Sequence, residues 1–105
     1  MPVLIERPCL DDLQNYVLQL EVERGFTNKT VLEQCLLLGE EVGELFKAIR
    51  HVTGLGIDVT SQPHEVDGEL ADVLILLCSV ANRLGVNLES ALRDKELLNQ
   101  SRRWR

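Results

Sequence analysis

The sequence predicts an all-α protein, a bundle of four to five helices interleaved with a partner subunit. Three observations point there. Leu and Glu abound while proline (3 residues) and aromatics (4%) are scarce, a balance that favours helix over strand. No segment alternates polar and apolar residues with period two for more than a few positions, so half-buried strands are not expected. Helix start and stop signals recur along the chain instead. At 105 residues and 45% hydrophobic, the chain has the size of one small domain, residues 1–105.

The first helix is expected over about Leu10–Arg24, after Pro8, opened by Asp11-Asp12 and stopped by Gly25. Thr30-Val31-Leu32-Glu33 has the form of a capping box, so a second helix should start near Thr30. It continues to about Val52 and closes at Gly54. Residues Gly54–Gln62 show no strong period and read as a loop. A third helix is expected from near Pro63, a residue tolerated in a first turn, to just before Gly85. Asn87 then caps a fourth, roughly Leu88–Gln100, and a short tail Ser101–Arg105 follows. Val3–Ile5 can form at most a short extended arm.

The third helix sets the architecture. Between Leu70 and Ala81 only Asp72 and Ser79 are polar, and a helix apolar nearly all round must be covered on most sides. Four short helices cannot fully enclose one of their own. A homo-oligomer, dimer or tetramer, is therefore expected.

Several classes of protein are disfavoured. No run of 18 apolar residues exists, so no membrane span is expected. Met1–Arg7 lacks the basic start and long apolar stretch of a signal peptide, which predicts a cytoplasmic protein. Cys9, Cys35 and Cys78 form no C-x-x-C pair, and Cys35 and Cys78, within apolar helical stretches, read as small buried thiols. The net charge of −6 is uneven: residues 1–80 hold 14 acids and 5 bases, residues 81–105 hold 3 acids and 6 bases. Such a distribution does not suit a nucleic acid polymer, which calls for a broad basic surface. It suits a small polyphosphate held between metal ions and cationic side chains.

Two acidic segments carry the chemistry: Glu40-Glu41-Val42-Gly43-Glu44 and Glu69-Leu70-Ala71-Asp72. Residues i and i+3 share a helix face, so Glu41 with Glu44, and Glu69 with Asp72, each form a carboxylate pair. Asp72 precedes the apolar run Val73–Cys78, and no Lys or Arg stands within a turn of it. A carboxylate near the core needs a partner, and a hard divalent cation is the simplest one. Two antiparallel helices joined by a loop would bring all four acids to one level. Glu41, Glu44, Glu69 and Asp72 are thus the candidate metal ligands. The ion expected is Mg²⁺, or Mn²⁺ in its place, since Mg²⁺ favours a few carboxylates plus substrate phosphates. Glu40, adjacent to the ligands, is a candidate to orient or deprotonate a metal-activated water, and Glu40 and Glu41 are the catalytic candidates. Each E-x-x-E alone is as compatible with a solvated helix face. Two pairs flanked by core sequence are not.

Three segments together resemble a known family: Leu38-Gly39-Glu40-Glu41-Val42-Gly43-Glu44-Leu45, then Glu69-Leu70-Ala71-Asp72-Val73-Leu74, then Lys95-x-x-x-Asn99-x-x-Arg102-x-Trp104. The pattern is similar to the MazG-type all-α nucleoside triphosphate pyrophosphohydrolases, over about Asn15 to Trp104. In size the chain looks like the compact dCTPase-like and dUTPase-like members. The resemblance implies Mg²⁺-dependent cleavage between the α and β phosphates of a nucleoside triphosphate, giving a monophosphate and pyrophosphate. It also implies metal ligation by Glu41, Glu44, Glu69 and Asp72, and phosphate or nucleotide contacts at Lys95, Asn99 and Arg102. Those last three lie at i, i+4 and i+7, one stripe of a helix. Phe26 stands where many relatives carry Trp and can stack on a base or serve as a packing residue. Asn15 and Lys29 are candidates for the same pocket, and Trp104 for an interface. His51 and His64 read as surface or loop residues.

Two other classes compete. A non-hydrolytic nucleotide-binding or dimerisation module would not need the full acid set. A carboxylate-bridged di-iron bundle would use Glu-x-x-His, and no E-x-x-H occurs in the sequence.

Overall fold

A computed structural model describes residues 1–55 and 65–103. Four helices form there: α1 Leu10–Arg24, α2 Val31–Thr53, α3 Val66–Arg83 and α4 Leu88–Gln100. No strand occurs among the described residues, and the protein is all-α. None of the helices is long and apolar enough to cross a membrane. The expected start of the third helix at Pro63, most of the loop before it, His64 and Trp104 lie outside the described residues.

Local chemistry fixes the helix ends where the sequence suggested. Cys9 caps α1, and the Asp12 carboxylate accepts from the Cys9 backbone N–H at 2.9 Å and from its thiol at 3.1 Å. These two bonds, the backbone one foremost, hold the Asp12 carboxyl below its ordinary pKa. At α2, the Glu33 N–H donates to Thr30 Oγ1 at 3.1 Å, and the Thr30 hydroxyl donates to the Glu33 carboxylate at 3.2 Å. Asn87 caps α4 by accepting from the Ser90 N–H at 2.9 Å. Gly25 ends α1 at φ 74°, where a side chain would be strained. The Phe26 N–H then reaches back to the Glu21 carbonyl at 2.8 Å, the wrap expected of a Schellman turn. That turn delivers Phe26 to the front of the α2–α3 pair.

Helices α2 and α3 run antiparallel. Gln34 Nε2 donates to Ser79 Oγ at 3.0 Å, and seven residues along each chain, in opposite directions, Glu41 meets Asp72. The stripe of α2 that faces α3 runs through Gln34, Leu38, Glu41, Leu45 and Ala48. Helix α1 packs across α3 with Val17 and Leu20 buried. Gln14 pins that crossing: its Nε2 donates to Asn82 Oδ1 and to the Val86 carbonyl, and its Oε1 accepts from the Leu88 N–H. Helix α4 packs chiefly on α1, tied at its start by Asn87 Nδ2 donating to Asp11.

Among the described residues the buried apolar core is small: Val17, Leu20, Ala48, Cys78 and Ala81. Cys78 is a buried thiol, as expected, and burial raises its pKa. Cys35 is not, since it stands exposed beside Leu32 and Leu36 on the side of α2 turned away from α3. An apolar stretch of helix buries only the stripe that meets a neighbour. On α3 the same logic leaves Leu70, Leu74 and Leu77 exposed at 52, 41 and 43%. The chain by itself leaves this face of its most apolar helix uncovered.

Candidate active site

The antiparallel register of α2 and α3 decides which acids converge. Glu41, Glu69 and Asp72 place carboxylate oxygens within 4.8 Å of one another. Glu44, one turn beyond Glu41, comes opposite Glu69 in the same register, and Glu40 is exposed beside the cluster. Glu41 and Glu69 are half-buried and Asp72 is exposed, so the cluster lies at the surface of the helix pair, open to a ligand.

Crowding shows in the electrostatics. The Glu41 carboxyl is pushed above its ordinary pKa, first by burial and then by a hydrogen bond with Glu69. The negative charges of Asp72, Glu69 and Glu40 add to this. All the donors are carboxylate oxygens, with no His or Cys in the group, which is the set a hard cation prefers. Oxygens sharing one such ion stand at most ~4–5 Å apart, given metal–oxygen bonds of about 2.1–2.6 Å. The cluster fits a divalent cation with little movement.

A cavity of about 320 Å³ opens from Glu41 along the groove between α1, α2 and α3. Its walls are largely apolar, with Val17, Leu20, Leu37, Ile75 and Leu76, and Phe26 and Lys29 from the α1–α2 connection stand on its rim. Its far end is polar, formed by Gln34, Ser79 and Glu21. Arg83 holds this end together. It pairs with Glu21 at 2.5 Å and donates to Ser79 Oγ at 2.7 Å, to the Phe26 carbonyl at 2.9 Å and to the Lys29 carbonyl at 2.8 Å.

The candidate residues fall into three places. Glu41, Glu69 and Asp72, with Glu44 and Glu40 adjacent, make up the acidic end. Phe26 and Lys29 border the cavity. Asn15 does not join them: it lines a separate concavity of about 400 Å³ with Asp11, Gln14 and Asn82. Lys95 and Asn99 lie on α4, and Arg102 follows just after it. Among the described residues, none of these three borders the cavity. Asn99 Nδ2 donates to Glu96 at 3.3 Å.

Sequence reasoning passed over the polar end. Gln34 and Ser79 were legible from spacing alone, because Gln34 precedes Glu41 by seven residues and Ser79 follows Asp72 by seven. In otherwise apolar helices, that interval returns a polar group to the same face two turns away. Glu21 and Arg83 carried no such signal.

Residues 26–96, about two thirds of the chain, match the family model of the MazG nucleotide pyrophosphohydrolase domain. No curated protein matches the chain.

Proposed function

Given that this chain belongs to the MazG nucleotide pyrophosphohydrolase family, we propose that it hydrolyses nucleoside triphosphates, canonical or modified deoxynucleotides among them, to monophosphate and pyrophosphate. The observation that carries this reading is the convergence of Glu41, Glu69 and Asp72, with oxygens within 4.8 Å, at the mouth of a mostly apolar cavity. Charge-binding and base-sized apolar surfaces adjoin, as a nucleotide requires.

Glu41, Glu69 and Asp72, joined by Glu44, would hold Mg²⁺ or Mn²⁺. A divalent ion bound there supplies charge neutralisation for the phosphates and acidifies water. Glu40, beside the ligands, takes the proton of the attacking water as general base. The water oxygen adds to a phosphorus flanking the α–β bridging oxygen, the bridging bond breaks, and the electron pair leaves with the departing phosphate. Phe26 offers a ring face to the base, and Lys29 a cation at the cavity rim. We assign Lys95, Asn99 and Arg102 to phosphate contacts made within a homo-oligomer, where α4 of one copy meets the acidic end of another. Asn15 would contact the nucleotide from its separate concavity.

The test is to incubate purified protein with each dNTP and Mg²⁺ and to resolve the products by ion exchange. Monophosphate plus pyrophosphate is expected. Diphosphate plus orthophosphate would overturn the cleavage position, and binding without turnover would favour a non-hydrolytic nucleotide-binding or dimerisation module.

A further inference from the structure

We infer that Gln34 reads the edge of the nucleotide base and selects bases that carry an exocyclic amino group. The inference rests on the nucleotide reading above and concerns the end of the cavity farthest from the carboxylates.

Gln34 is 4% exposed, and its Oε1 is buried with no hydrogen-bond partner among the described residues. Buried acceptors are ordinarily satisfied, so one left open in a cavity wall points to a missing donor. The other half of the amide is engaged: Nε2 donates to Ser79 Oγ at 3.0 Å. Ser79 is itself 1% exposed and accepts from Arg83 Nη1 at 2.7 Å. Arg83 is fixed in turn by Glu21 and by the carbonyls of Phe26 and Lys29. The amide is held by a buried chain of contacts, and Oε1, an acceptor, is the end left without a protein partner beside the cavity.

Position supports the assignment. Gln34 and Glu41 border the same cavity from the same face of α2, two turns or about 10 Å apart. A nucleotide with its phosphates at Glu41 extends its base towards Gln34, between the apolar walls and Phe26. There Oε1 accepts a hydrogen bond from an amino group such as cytosine N4 or adenine N6. A keto oxygen at the same place, as in uracil or hypoxanthine, meets another acceptor and leaves both unpaired.

The test compares matched pairs, dCTP with dUTP and dATP with dITP, which exchange the amino group for oxygen. The expected result is a kcat/KM ratio favouring the amino member of at least one pair by roughly 10–100-fold. That ratio should fall towards one in Gln34→Leu. Helical circular dichroism checks that Gln34→Leu folds. If it does not, Ser79→Ala, which releases the amide, should lower the ratio instead. Equal turnover within both pairs, a keto preference, or a ratio unchanged in the folded variant overturns the inference while leaving the enzymatic reading intact. Absence of pyrophosphate from every nucleotide removes the enzymatic reading. Equilibrium binding of dCMP against dUMP and of dAMP against dIMP, to wild type and Gln34→Leu, then decides the Gln34 assignment by itself: tighter binding of the amino member of at least one pair that Gln34→Leu abolishes supports it, and anything else overturns it.

Discussion

Arg83 Nη2 lies 2.5 Å from Glu21 Oε2, and both side chains are largely withdrawn from water, at 15 and 9% exposure. The pair joins α1 to α3 directly behind the cavity, and the rest of the guanidinium holds the Phe26–Lys29 turn and Ser79. Five donors in a rigid fork allow one side chain to do all of this. Removing one partner strands a buried charge. Arg83→Met should therefore cost about 3–5 kcal/mol, read as a lowered urea midpoint with an unchanged m-value. Glu21→Gln combined with Arg83→Met should recover part of that loss, because no carboxylate is then left unpaired. A single variant with wild-type stability would show the pair to be energetically idle.

The acidic end separates by role. Glu41→Gln and Asp72→Asn should each abolish pyrophosphate release and also remove the rise in melting temperature that Mg²⁺ should give the wild type through preferential binding to the folded state. Asp72 is exposed, so its loss should leave helical content intact. Glu40→Gln should behave differently. If Glu40 acts as the proposed general base rather than as a ligand, this change should lower kcat by about 10²–10⁴-fold while the Mg²⁺-induced shift persists. Loss of both signals in Glu40→Gln would move Glu40 into the ligand set.

How much of this was legible beforehand follows from what each residue depends on. Helix ends rest on local chemistry, and Thr30, Gly25, Gly54 and Asn87 announced them correctly. The acid cluster depends on the register of two helices, yet repeated i, i+3 spacing was enough to bring Glu41, Glu69 and Asp72 together. Burial was less legible, because it depends on which stripe of α2 meets α3. Cys35 and Cys78 look alike in sequence, and one is outside while the other is inside. The Arg83–Glu21 pair joins residues 62 positions apart across a crossing of α1 over α3 that no local pattern encodes. Asn15 failed to reach Phe26 for a related reason: the side of α1 it occupies, next to Gln14, is the one turned to the start of α4.

Glu41 also predicts a direction with pH. Burial first, and then its acidic neighbours, raise its pKa in the folded chain, so the folded state holds that proton more tightly than the unfolded state does. The metal-free protein should be relatively more stable below the ordinary carboxyl range, and should lose that contribution as pH rises through the raised pKa. A divalent cation needs the ionised form, so protons compete with it. The Mg²⁺ affinity should weaken as pH falls through the same window, measurable by titration calorimetry at several pH values, and binding should release protons. An affinity indifferent to pH across that window would place the ion elsewhere.

The uncovered face of α3 supplies the last prediction. Leu70, Leu74 and Leu77 lie at i, i+4 and i+7 on one stripe and are exposed at 52, 41 and 43%. On α2, Leu32, Leu36, Phe46, Ile49 and Val52 are exposed as well. Surfaces of this kind normally mark an interface, and a second copy of the chain is the partner we expect there. Leu74→Glu places a charge in the middle of the α3 stripe and replaces none of the clustered acids. Sedimentation velocity should show the wild type as a dimer or tetramer and Leu74→Glu as a smaller species. If Lys95, Asn99 and Arg102 act across the interface, dissociation should also raise KM for the triphosphate, because the basic stripe no longer reaches the phosphates. A wild-type chain that sediments as a monomer and turns over substrate would place the whole site within one copy, and α4 would then have to move to reach it.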